Sequence, residues 1–143
     1  MKSLRVLLVD DEQEFTDVLA QRMEARGLDA DVSADGRTAL VMAKGKAYDA
    51  VVLDMAMPGM DGIETLKRLL ANNPDLQVIL LTGRATLRSG VEAIKAGAME
   101  FMEKPPNIDK LIEKITEARS KRERLTEKRI ETILSDIVRN KGW

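Results

Sequence analysis

The sequence predicts an α/β fold, a five-stranded parallel sheet covered by helices on both faces. Three observations predict it. Five short apolar runs alternate strictly with stretches whose apolar residues recur at helical spacing. The central runs are apolar almost throughout, as in strands buried on both faces. The helical stretches stop at Gly27, at Asn72-Asn73-Pro74 and at Gly97, residues that end helices.

Leu4 to Val9 (LRVLLV) is the first predicted strand, and its apolar run leads directly into acids. It has no small-residue cleavage site after it, so it reads as a strand and not as a signal peptide. Glu12 to Arg26 follows as a helix with Phe15, Val18, Leu19 and Met23 on one face. Leu28 to Ser33 is a shorter, more polar strand. Asp35 to Lys44 is the second helix, with Ala39, Leu40 and Ala43 inward. Ala50 to Leu53 is the third strand and Ile63 to Ala71 the third helix. Gln77 to Leu81 (QVILL) and Met99 to Met102 are the last two strands, and Ala85 to Ala96 the helix between them. From about Asn107 the pattern is helical again.

Right-handed crossovers leave few ways to arrange five βα units. The common solution is the flavodoxin-like, doubly wound (βα)5 sheet in the order 2-1-3-4-5. In that order strands 1 and 3 are neighbours at the topological switch point, and ligands bind there, beyond the carboxyl ends of the strands.

Composition narrows the chemistry. The chain has 143 residues, 44% hydrophobic and 33% charged, a size and balance that suit one folded domain. It has no cysteine and no histidine, which excludes disulfides, thiolate or imidazole zinc sites, and Ser-His triads. No apolar run approaches the roughly 18 residues that span a bilayer. Residues 1–118 carry 15 Lys/Arg against 20 Asp/Glu, a net of −5; residues 119–143 carry 8 against 4, a net of +4.

Polar residues stand just beyond each central strand: Asp10 and Asp11 after the first, Asp54 after the third, Thr82 after the fourth, Lys104 after the fifth. The predicted topology gathers them at one rim. Three clustered carboxylates repel one another unless a cation joins them. A hard divalent ion with oxygen ligands, Mg²⁺ above all, resolves that conflict.

VLLVDDE at 6–12, VVLDMAMPGMDG at 51–62, LLTG at 80–83 and FMEKP at 101–105, in this order and at these strand ends, resemble the receiver domain of two-component response regulators. The resemblance covers about residues 4–118. It implies that Asp54 is the phosphoacceptor for a phosphohistidine on a sensor histidine kinase or phosphotransfer protein. It implies that Asp11, Asp54 and the backbone carbonyl of Ala56 hold Mg²⁺, with Asp10 acting mainly through a metal-bound water. Lys104 would pair with Asp54 before reaction and with a phosphoryl oxygen after it, and the Lys104-Pro105 peptide bond would be cis. Thr82 would hydrogen-bond the phosphoryl group, and Phe101 would be the aromatic switch on the face formed by helix 4, strand 5 and helix 5. The chain would thus be a cytoplasmic signalling switch that promotes its own phosphorylation and dephosphorylation, not a classical enzyme. A downstream effector protein or effector domain would read it.

Each residue also has a plainer reading. Asp11 fits a capping box with Glu14, Asp10 a strand-end turn, and Thr82 a helix entry. Lys104 alone is a solvated lysine, and Phe101 alone is core. Met55, Met57 and Met60 read as soft packing around the loop rather than a docking surface. Two positions vary among such domains and tune phosphoryl lifetime and partner fit: Ala56, two after the phosphoacceptor, and Arg84, two after Thr82. Ala56 leaves room for water, whereas Arg84 shields or attracts the phosphoryl group.

Residues 119–143 form a basic, amphipathic extension beyond a receiver of residues 1–118. Leu125, Ile130, Ile133, Leu134, Ile137 and Val138 keep a stripe whose phase slips near 125–130, and no Gly or Pro interrupts 107–141. The pattern predicts either one long projecting helix or two helices with a bend near 120–128. Such a helix serves as a solvated linker or as a dimerising or partner-binding element. Interspersed acids and the lack of a helix-turn-helix argue against nucleic acid. The rival functions are a phosphorylation-independent scaffold receiver, a dehalogenase-type phosphatase and an FMN carrier. The phosphatase wants a second Asp at position 56, and the FMN phosphate would be repelled by Asp10 and Asp11.

Overall fold

The computed structural model describes residues 3–140. Its elements are β1 (Arg5–Val9), α1 (Gln13–Glu24), β2 (Asp29–Ser33), α2 (Gly36–Gly45), β3 (Ala50–Asp54), α3 (Gly62–Asn72), β4 (Val78–Thr82), α4 (Leu87–Lys95), β5 (Glu100–Glu103) and α5 (Ile108–Asn140). All five strands are parallel, in the order β2-β1-β3-β4-β5. The flavodoxin-like topology expected from the sequence is therefore the topology observed.

Strand periodicity divides the core in two. Leu7, Val9, Val51, Leu53, Val78 and Leu80 face α2, α3 and α4, where they meet Ala39, Leu66, Leu69 and Ala93. The alternate residues Val6, Leu8, Val52, Ile79 and Leu81 face α1 and α5, where they meet Leu19, Met23, Leu111 and Ile115. All of these are buried, each large side chain contributing about 1.5–3 kcal/mol. Met57 is buried in the first core while Met55 and Met60 are half-buried, in keeping with a packing role.

Several helix starts differ from the sequence reading. Glu12, not Asp11, is the N-cap of α1, and no side chain caps that helix. Asp11 therefore makes no capping box and stays free for other work. Thr86 caps α4 through a reciprocal pair with Ser89, so Thr82 is not the helix entry. Asp35 and Asp61 cap α2 and α3 by accepting from the Thr38 and Glu64 amides at 2.7 and 2.9 Å.

The last helix is continuous, 33 residues and so about 50 Å long, and is not divided into two at 120–128. Leu111, Ile115 and Ala118 fix its first third to the sheet. Its middle is stapled to the ends of loops that enter the strands. Arg119 and Arg122 pair with Asp49 at 3.0 and 2.7 Å, just before β3. Arg129 and Thr126 bond Asp75 at 2.6 and 3.1 Å, shortly before β4. Ile130, Ile133, Leu134, Ile137 and Val138 then stand about half exposed. Lys141, Gly142 and Trp143 lie outside the described residues.

Candidate functional site

The sheet register builds the site. Val9 lies opposite Leu53 and Leu53 opposite Leu80, so the residues next in line, Asp10 and Asp54, end adjacent strands abreast. β4 and β5 close the rim, with Thr82 opposite Glu103 and Lys104 following. Gly62 lets α3 start against the site's own backbone, because a Cβ there would collide with the Asp54 carbonyl and Met55 Cα.

Asp10, Asp11 and Asp54 each offer a carboxylate oxygen within 4.8 Å of the others. Asp10 and Asp54 are buried and Asp11 is exposed. Asp10 Oδ1 accepts from the Glu12 amide at 2.9 Å, a strand-end turn that also aims the second oxygen at the cluster. That oxygen, Oδ2, is buried and makes an ion pair but no well-angled hydrogen bond. Asp54 Oδ1 accepts a long bond, 3.4 Å, from the Ala56 amide. Burial and the Asp10 charge raise the Asp54 carboxyl above the ordinary carboxylate range, against the opposing pull of Lys104. An all-oxygen donor set, two carboxylates buried at adjacent strand tips and a disfavoured charge on one of them fit a hard divalent cation.

Lys104 enters from the far side. Its Nζ lies 2.5 Å from Asp10 Oδ2 and 3.4 Å from Asp54 Oδ1, so it stands nearer Asp10 than the sequence reading placed it. Burial alone would lower the Lys104 ammonium, but Asp10, Asp54 and Glu12 outweigh it and raise it. The Lys104-Pro105 bond is cis. Thr82 Oγ1 bonds the backbone of Arg84, at 3.3 Å to both its carbonyl and its amide, and so turns to the following loop. Ala56 and Arg84 are exposed beside the rim. Phe101 is half-buried and lines an open apolar groove of about 630 Å³ with Leu87, Gly90, Val91 and Ile94 of α4. The groove lies away from the carboxylates.

Three contacts escaped the sequence reading. The Phe15 ring, assigned there only to the helix's inner face, lies 4.7 Å from Lys104 Nζ. Glu12 Oε1 lies 3.4 Å from the same nitrogen. Glu103 accepts from the Ala85 amide at 2.7 Å and pins the loop after β4. The EKP run carried a signal for Glu103, but Phe15 and Glu12 meet Lys104 only through the fold.

The profile of the response regulator receiver domain matches residues 6–116. The transcriptional regulatory protein TcrA of Mycobacterium tuberculosis is 36% identical over 115 residues. That alignment takes in 80% of this chain and 46% of TcrA, so the chain spans less than half of that relative. Among solved structures, the response regulator TrrA of Thermotoga maritima, in complex with Mg²⁺-BeF, is 33% identical with a TM-score of 0.72, over 80% of this chain and 98% of that one. A chain described as adenylate cyclase from Rhodopirellula baltica is 26% identical with a TM-score of 0.81, over 94% of this chain and 98% of that one.

Proposed function

This chain belongs to the response regulator receiver domain family, and from that premise we propose that it is a phosphorylation-driven switch with Asp54 as phosphoacceptor. One observation carries the reading: a carboxylate only 5% exposed at a strand tip, its charge disfavoured by burial and by Asp10, with an ammonium 3.4 Å away. A carboxylate oxygen of Asp54 attacks the phosphorus of a phosphohistidine on a sensor histidine kinase or phosphotransfer protein. The N–P bond breaks, its electron pair stays on the imidazole nitrogen, and an acyl phosphate forms. Positioning and charge compensation supply most of the help such a transfer needs.

Asp10, Asp11, Asp54 and the Ala56 carbonyl would hold magnesium, which when bound offsets charge on the phosphoryl oxygens. Lys104 leaves its carboxylate partners for a phosphoryl oxygen. Thr82 gives up its two 3.3 Å bonds to Arg84 and donates to the phosphoryl group. Phe101 then turns inward and reshapes the groove beside α4. We assign the switch to residues 1–118 and the output connection to 119–143, which leads to an effector or to a second copy. No described helix is long and apolar enough to cross a membrane.

Incubation with acetyl phosphate and Mg²⁺ tests the proposal by intact mass. The wild type is expected to gain one phosphoryl group, and Asp54→Asn none. No uptake by wild type, with the fold intact, would leave the phosphorylation-independent scaffold as the better reading.

A further inference from the structure

We propose that Phe15 is a positioning residue for Lys104, holding the ammonium at the rim by a cation–π contact; this rests on the phosphoacceptor reading above. Phe15 sits in the first turn of α1, half-buried against the aliphatic core that includes Leu19 and Met23. Packing there asks only for apolar volume, and leucine would supply it. The ring instead lies with its centroid 4.7 Å from Lys104 Nζ, within the roughly 6 Å at which a ring face attracts a cation. The lysine side chain is only 11% exposed, so water competes weakly for it.

The other partners of the Lys104 ammonium among the described residues are carboxylates: Asp10 at 2.5 Å, Asp54 at 3.4 Å and Glu12 at 3.4 Å. Asp10 is also a member of the acidic cluster. A divalent cation joining that cluster repels the ammonium and takes over the Asp10 charge that now holds it. Glu12 would then draw the lysine outward, since its own side chain is 67% exposed. The uncharged ring face is unaffected by the ion. It keeps Lys104 close enough to Asp54 to meet an incoming phosphoryl oxygen. Leucine at position 15 would fill the core and leave the ammonium free to swing toward Glu12.

The first test needs no turnover. In NMR spectra of the wild-type chain with ¹³Cε-labelled lysine, the Lys104 ε-methylene protons should resonate upfield of the other lysines. They should remain upfield when Mg²⁺ is added; Lys104→Met assigns the signal. A second test compares Phe15→Leu with Phe15→Tyr. Phe15→Leu should lose the upfield shift and take phosphoryl from acetyl phosphate about tenfold more slowly, between the effects of an exposed and a fully desolvated cation–π contact. Phe15→Tyr should restore both. The inference is overturned by a wild-type signal at the ordinary lysine position, by a shift that vanishes with Mg²⁺, by a wild-type rate in Phe15→Leu, or by a Phe15→Tyr as slow as Phe15→Leu. Absence of phosphoryl uptake in the wild type strikes the phosphoacceptor reading instead, and leaves the ring contact to be judged by its shift.

Discussion

Asp54 is a carboxylate kept where its charge is disfavoured, and this has a cost in stability. Its raised folded value means the ionised form is less stable folded than unfolded at neutral pH, a penalty relieved as pH falls through the folded value. Asp54→Asn should therefore raise Tm by a few degrees in metal-free buffer. Calorimetry checks it, and an unchanged or lower Tm would contradict the electrostatic account. Lys104→Met should act in the opposite sense. It leaves buried Asp10 and Asp54 uncompensated, a loss of about 3–5 kcal/mol. Saturating Mg²⁺ should return part of it, about 2.7 kcal/mol at a hundredfold excess over Kd. Gly62→Ala should also destabilise, because its Cβ has only the Asp54 and Met55 backbone to meet. At this scale Asp10, Asp11, Asp54, Thr82 and Lys104 were legible as polar residues ending apolar strands. Phe15 and Glu12 were not, since what sets them apart is an approach to Lys104 from a helix that pattern alone assigns to packing and solvent.

The long helix α5 is held by two carboxylates at the opposite end of the strands from Asp54. Burial would push the Asp49 carboxyl up, but Arg119, Arg122 and the Arg5 amide outweigh it and hold it below the ordinary range. Arg129 and Thr126 likewise hold Asp75 down. Groups of this kind stabilise the fold above their unfolded value, about 3.9. Their contribution is lost as pH falls through the lowered folded values. Amide exchange over 119–129 should thus lose protection on acidification below about pH 4, where free aspartate protonates. Asp49→Asn should cost about 3 kcal/mol, because it strips two arginines of a buried partner. Asp75→Asn should cost only about 1 kcal/mol, since Arg129 is half exposed and water screens the pair. Urea unfolding checks both, and equal losses would contradict the ranking. Element types and order were legible because apolar runs and helical stripes are periodic. The clip was not, because the stripe changes from apolar to basic at Arg119 and the charges alone resemble a solvated face. That is why a single straight helix and a bent pair were equally compatible with the sequence.

Over the whole molecule, acidic and basic poles are separated. The carboxylate rim lies at the carboxyl ends of β1 and β3, whereas the basic helix is anchored at the opposite ends of β3 and β4. Leu87, Val91 and Ile94 of α4 stand exposed and line the groove with Phe101. On the proposed phosphorylation, a phosphoryl group would add about −1.5 to −2 charge to that rim, enough to bias two packings of the groove. Exchange measured with beryllofluoride and Mg²⁺ should change over 83–101 and leave Asp49 and its arginines as protected as before; a uniform change across the chain would contradict a local switch. All of this requires that the tips of β1 and β3 form a cation site. Titration of the wild type with Mg²⁺, followed by backbone amide shifts, measures that requirement most directly. Saturable shifts at residues 10–12 and 54–56, abolished in Asp11→Asn, are the predicted result; shifts scattered over the acidic surface, or unchanged in Asp11→Asn, would contradict it.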